Sequence, residues 1–244
     1  MDFATLSPGT ILAAVVSVAL LPFVAVMVTS FAKLVVVFSL LRSALGLQQT
    51  PPNVVLNGLA IILSVYVMYP VGLEVSELAR ERLAGGAAPT DKVAGRFSGP
   101  SSAAKNGAAA PSTGADLERL LGVAEHAMPP LRAFLIKHSS DAEREFFLAT
   151  AQRMLPEPRR AQLGKDDLIV IAPAFTTSEL SRAFQIGFII FLPFLVIDLI
   201  VASVLQALGM MMLSPTTISL PFKLLLFVAL DGWSKLVHGL LASY

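Results

Sequence analysis

The chain has 244 residues, 55% of them hydrophobic and only 14% charged, with a mean hydropathy of +0.73. A soluble domain carries about 25% charged residues, so an ordinary water-soluble globule is excluded, and lipid or tightly packed partners must cover the excess apolar surface. The net charge of +1 contains no basic patch suited to nucleic acid, and the lack of cysteine excludes a disulfide framework and thiolate chemistry.

The charge is unevenly placed. Outside residues 74–183 the only Lys/Arg are Lys33, Arg42, Lys223 and Lys235, and the only acids are Asp2, Asp198 and Asp231. The central region is therefore the one ordinary water-soluble part. The start, MDFATLSPGT, lacks the positive n-region of a secretory signal. The first apolar run, too long for a signal h-region, reads as a retained helix.

Four apolar runs follow one another: Ile11–Leu41, Val54–Leu73, Phe184–Leu213 and Ile218–Leu241. Each reaches the roughly 20 residues that span a bilayer core. Backbone groups in lipid must be satisfied within the segment, so all four are expected to be helices. The 31 residues of Ile11–Leu41 would make a helix about 46 Å long at 1.5 Å per residue, against a core of about 30 Å. Such a helix tilts, breaks or leaves the membrane. Leu-Pro-Phe occurs at Leu21-Pro22-Phe23, Leu192-Pro193-Phe194 and Leu220-Pro221-Phe222. Proline removes a helical hydrogen bond, so these tripeptides are candidate breaks, either as a weak repeat or by chance in a Leu/Phe-rich chain.

Between the second and third runs lies the insert. Ala84–Ala115 is small, polar and Gly/Pro-rich and reads as a disordered loop. Asp116–Met128 has helical spacing, and Pro129-Pro130 restarts a helix with Leu131, Phe134 and Leu135. Ser140 with Glu143 forms a capping-box pattern opening a helix to about Leu155. Leu168–Ala172 fits a strand or a helix. A second capping-box pattern, Thr176 with Glu179, is flanked by Phe175 and Leu180 as staple residues. It predicts a long helix from about Thr177 into the third run. The expected organisation is residues 1–73 as an N-terminal apolar hairpin, 74–116 as a flexible loop, 117–175 as a soluble helical region and 176–244 as a C-terminal apolar hairpin.

Charges inside apolar runs cost roughly 2.5–3.5 kcal/mol each at a bilayer centre, so they usually pair or face a cavity. Asp198 and Lys223, of opposite sign on consecutive helices, are candidates for an ion pair, the alternative being separate snorkelling to two interfaces. Lys33 and Arg42 read as interfacial or partner-facing. Asp231 and Lys235 have the spacing of a favourable helical pair, with Trp233 between them suited to an interface belt or a subunit contact.

Gly209-Met210-Met211-Met212 is followed by Ser214-Pro215. Successive helical residues point about 100° apart, so three adjacent methionines cannot share one face, and the flanking residues suggest a helix end or loop. Long, unbranched thioethers could there form a soft seal, or merely fill an apolar turn. No enzyme signal is present. His126, His138 and His238 have no metal-ligand spacing, His126 and His138 read as solvated, and no phosphate loop or nucleophile–base pair is found.

The segment FTTSELSRAFQIGFIIFLPFLVIDLIVASVLQALGMMMLSPTTISLPFKLLLFVALDGW, with SFAKLVVVFSLLRSALGLQQTPPNVVLNGLAIILSVYVMYPVG before it, closely resembles the FliP/SctR family of type III secretion export-gate subunits. Together these segments cover well over half the chain. GLQQTPPN and PAFTTSELSRAF resemble the virulence branch more than the flagellar one. The resemblance implies an all-α, membrane-associated fold of bent helical hairpins with a helical soluble insert. It implies a non-enzymatic, cofactor-free subunit of a homopentamer. Two smaller membrane subunits, FliQ/SctS-like and FliR/SctT-like, complete the gate, and switch and export-gate proteins of the same system attend it. Unfolded protein substrates would cross the bacterial inner membrane through the complex, part of which stands above the membrane on the periplasmic side. Carried over, the role of pore gasket falls on Met210, Met211 and Met212, and the family's acidic and basic positions match Asp198 and Lys223. The Ala84–Ala115 insert departs from the family pattern. Two rival readings are a secondary transporter coupled through Asp198 and Lys223, and a structural membrane scaffold.

Overall fold

The computed structural model describes residues 16, 19–20, 22–47, 50–85 (side chains to 82), 122, 126–210 and 212–244. Every regular element among the described residues is α-helical: α1 (Phe31–Ala44), α2 (Asn53–Gly85), α3 (Met128–His138), α4 (Asp141–Met154), α5 (Arg159–Gln162), α6 (Leu168–Ala207), α7 (Pro215–Ala229) and α8 (Gly232–Ala242). Residues 22–27 are also helical and lead through a bend at Val28 and Thr29 into α1. The chain divides into two compact units, one of Met1–Tyr69 with Leu135–Tyr244, the other of Pro70–Phe134. The second unit holds the C-terminal part of α2 and the start of α3.

The first unit is built around α1, whose Leu34, Val37, Phe38 and Leu41 recur at helical spacing and are almost wholly buried. Leu34, Val37 and Phe38 pack on Leu56, Ala60 and Leu63 of α2, Ala183 of α6 and Leu240 of α8. A neighbouring cluster joins Leu41, Ala44 and Leu45 to Phe194 and Phe227. A close approach of α1 to α6 falls at Gly187, where an added Cβ would lie 2.2 Å from Leu40 Cδ1. Glycine is needed here for space.

Among the described residues two helices are long and apolar enough to cross a membrane, α2 over Asn53–Arg82 and α6 over Leu168–Ala207. The fourth apolar run is not one straight span, because α7 and α8 meet at 61°. Asp231 at that junction is left-handed (φ 52°), a conformation Asp tolerates better than most residues. Of the first run, only part lies among the described residues.

Three expectations need correction. The Leu-Pro-Phe tripeptides do not break their helices: Pro193 lies inside α6 and Pro221 inside α7, while the breaks fall at Leu208–Ser214 and Leu230–Asp231. Leu21 lies outside the described residues, and the bend of that run falls after its tripeptide, at Val28 and Thr29. The flexible loop expected over residues 74–116 does not begin at 74, since α2 continues past the apolar run through Glu74, Glu77, Arg80, Glu81 and Arg82, all good helix formers, to Gly85. The expected loop over Ala84–Ala115 lies outside the described residues beyond Gly85, as does nearly all of the expected helix over Asp116–Met128.

The third correction concerns Thr176 and Glu179. They do not cap a helix: α6 begins at Leu168, with Asp167 at the N-cap, and both residues sit inside it. Pro173 and the capping signals are outweighed by burial, because Val170, Ile171, Ala174 and Phe175 are at most 1% exposed. The pattern at Ser140 does mark a helix start, with extended N-cap dihedrals but no side-chain cap bond. The Ser140 backbone N–H that a capping box would assign to Glu143 instead donates to Ser178 Oγ on α6 at 2.9 Å.

Candidate functional site

The methionine turn joins α6 to α7. The end of α6 is closed by Gly209 N–H on the Gln206 carbonyl and Met210 N–H on the Leu205 carbonyl. Gly209 has φ +72°, the left-handed conformation that ends helices and that glycine adopts without strain. Ser214 is the N-cap of α7, and Pro215 supplies its first residue. The described methionines between them project from the hairpin: Met210 is 45% exposed and Met212 99%. Met211 lies outside the described residues. Neither described methionine fills the turn between the two helices.

Further along the same hairpin, Lys223 Nζ of α7 lies 2.5 Å from Asp198 Oδ2 of α6. Ser219, one turn before Lys223, donates its hydroxyl to Asp198 Oδ1 at 2.5 Å. Lys223 also donates to the Ala44 carbonyl at 3.1 Å, one of the carbonyls left without a helical partner at the end of α1. The cluster therefore ties α6, α7 and α1 together. Its two charges differ in burial: the Lys223 side chain is 3% exposed and the Asp198 side chain 30%.

A second charged cluster is not apparent from the sequence. Lys33 of α1, which sequence reasoning places at an interface, is instead buried against Glu179 of α6, with Nζ 3.5 Å from Oε2 and both side chains 1% exposed. Arg182 Nη1 lies 3.0 Å from Glu179 Oε1 and donates to the His138 carbonyl at 3.0 Å. The Tyr244 hydroxyl donates to Glu179 Oε2 at 2.7 Å, and Lys33 donates to Ser243 Oγ at 2.8 Å while sitting over the Tyr244 ring. Burying a carboxyl group is costly unless several such donors pair with it. Burial, then the neighbouring Glu179 carboxylate, pushes the Tyr244 phenol well above its ordinary value, which keeps it a donor. His138 is buried rather than solvated, its ring tilted against Tyr244. Burial lowers its imidazole below the ordinary value; Glu179 opposes this, and Lys137, Arg182 and Lys33 add to it.

The signal that could have found this cluster is Lys33, the only cation in the first apolar run, which needs an acid once it is buried. Glu179 hides its side of the pair by fitting a capping box. Arg42 donates to the side chain of Asn53. Asp231 and Lys235, both among the described residues, form no ion pair, because Asp231 stands in the left-handed turn before α8 and only its carbonyl receives the Lys235 N–H. Trp233 packs edge-on against Phe227 at 5.6 Å. His126 and His238 are exposed. Among the described residues no group of His, Asp and Glu side chains has the arrangement of a metal site.

Comparison with known proteins gives a consistent result. The model of the FliP family matches residues 14–240. The chain is 45% identical over 234 residues to "Pathogenicity-related ORF2" of Xanthomonas campestris pv. glycines, covering 96% of this chain and 95% of that protein. It is 44% identical to "Hypersensitivity response secretion protein HrcR" of Ralstonia nicotianae, over 94% of each chain. It is 45% identical to "Yop proteins translocation protein R" of Yersinia pestis, over 92% of this chain and 91% of that one.

Proposed function

The chain belongs to the FliP family, and on that premise we propose that it is a core subunit of a type III secretion export gate, on the virulence side of the family. Its near-full-length relatives are named for secretion, translocation and pathogenicity. In this reading five copies assemble with FliQ/SctS-like and FliR/SctT-like subunits in the bacterial inner membrane, part of the complex standing on the periplasmic side. The assembly conducts unfolded protein and carries out no bond chemistry.

The observation that carries the sealing role is the exposure of Met212, 99%, with Met210 at 45%, on a turn fixed by Gly209 and Ser214-Pro215. A methionine that merely filled the turn would be buried. Several copies converging on an axis would place flexible, polarizable thioethers together, able to close on one another or to yield around a passing chain. The Asp198–Lys223 pair would hold the two arms of the hairpin that present this turn. Replacing Met210, Met211 and Met212 together by alanine is expected to make the assembled gate leaky to ions and small molecules, measured by conductance in planar bilayers. Unchanged conductance in correctly assembled complexes would remove the sealing role.

A further inference from the structure

The helical hydrogen bonds lapse around Val28–Ser30, where the first apolar run bends, and the two ends of one of them meet threonine hydroxyls. In an unbroken helix the Phe31 N–H would donate to the Met27 carbonyl. Here the Phe31 N–H lies 3.5 Å from Thr29 Oγ1, and the Met27 carbonyl lies 3.0 Å from Thr176 Oγ1 on α6. The single Thr176 proton is placed between that carbonyl and its own helix's Ala172 carbonyl, 2.9 Å away.

The next residue is held as well. Ser30 is fully buried, its hydroxyl donating to Ser64 Oγ of α2 at 3.1 Å and its carbonyl facing the Tyr244 hydroxyl at 3.4 Å. Lys33, one turn further on, closes the Glu179 cluster already described. The Met27 carbonyl is not covered by its own helix, and in an apolar layer without water an unsatisfied backbone group costs several kcal/mol, so a hydroxyl supplied at this point favours the bend.

We propose that Thr29 and Thr176 are positioning residues that fix a corner at Val28–Ser30, with Ser64, Tyr244 and the Lys33–Glu179 pair locking its far side. The stretch before it, residues 22–27, is then a rigid extension of the α1–α6 frame at a set angle and not a free hinge. This bears on how the subunit presents its first apolar segment to its surroundings, and it stands apart from the sealing role.

The chain has no cysteine, so nitroxide labels can be placed cleanly on the exposed Val24 and Ser43 through Val24→Cys and Ser43→Cys. The full chain is extracted in mild detergent and diluted with unlabelled copies, and the label separation is measured by pulsed dipolar spectroscopy. A straight helix would separate the two Cα atoms by about 28 Å at 1.5 Å per residue, and the corner keeps them closer. The otherwise native chain is expected to give one narrow distribution below that value. Thr29→Val with Thr176→Val is expected to broaden it or move it toward the straight-helix distance, with helicity by circular dichroism retained, and Thr176→Ser is expected to keep the native distribution. Should the double variant fail to fold, Thr176→Val alone is read in its place. A valine variant indistinguishable from native, or a serine variant as broad as the valine one, would overturn the proposal. Either failure leaves the methionine leak test unaffected.

Discussion

Replacing Asp198 by asparagine should destabilise the chain more than replacing Lys223 by methionine, although both remove the same ion pair. The asymmetry follows from burial. Lys223 is 3% exposed, and its ammonium is held by Asp198 and the Ala44 carbonyl. Asp198→Asn leaves that buried charge with neutral acceptors, near the lower end of the roughly 3–5 kcal/mol lost when one partner of a buried pair is removed. Lys223→Met leaves a carboxylate that is 30% exposed and still receives the Ser219 hydroxyl, a loss of about 1–2 kcal/mol. The double variant should cost less than the sum by about 1–3 kcal/mol, because its members share one contact. Urea unfolding in mild detergent, followed by the fluorescence of the single tryptophan, measures all four chains, and Trp233 packs on Phe227 of the same helix as Lys223. Equal or reversed costs, or additivity to within about 0.5 kcal/mol, would refute the reasoning and return the two charges to separate roles.

Two further outcomes follow from packing and protonation. Gly187→Val should separate α1 from α6, since even the first added carbon meets Leu40 Cδ1 at 2.2 Å. The expected loss is about 1–3 kcal/mol, and Leu40→Ala in the same chain should recover part of it in the same unfolding assay. His138 has a lowered pKa from burial, so below about pH 6.5 the unfolded chain takes up a proton that the folded chain refuses. Stability from this residue is complete above that pH and declines as pH falls below it. His138→Gln should reduce the slope of stability against pH there, and an unaltered slope would show that the imidazole is not held neutral.

The sequence exposes those features that are local. Gly209 and Ser214-Pro215 bracket the methionine turn within a few residues, Pro129-Pro130 opens α3, and Ser140 marks the start of α4. Asp198 and Lys223 are visible as a pair because each interrupts an apolar run. The features that escape depend on burial against distant segments. Thr176 and Glu179 match a capping box as well as any sequence could. Nothing nearby reveals that Val170 and Ile171 will be buried and carry the helix back to Leu168, or that Glu179 will meet Lys33 and Tyr244 from opposite ends of the chain. Proline misleads in the same way. Pro193 and Pro221 signal breaks by their chemistry, yet both lie inside continuous helices.

The length of α6 has a consequence of a different kind. Its 40 residues make about 60 Å of helix, twice the roughly 30 Å thickness of a bilayer's hydrocarbon layer. Ile169, Leu180, Phe188, Leu199 and Val204 are uncovered along it, over about 52 Å of its length. Lipid is too thin to wet all of that surface, and water wets little of it. A single copy therefore has no good solvent in either phase, so its concentration as a free chain should be kept low by association and by degradation.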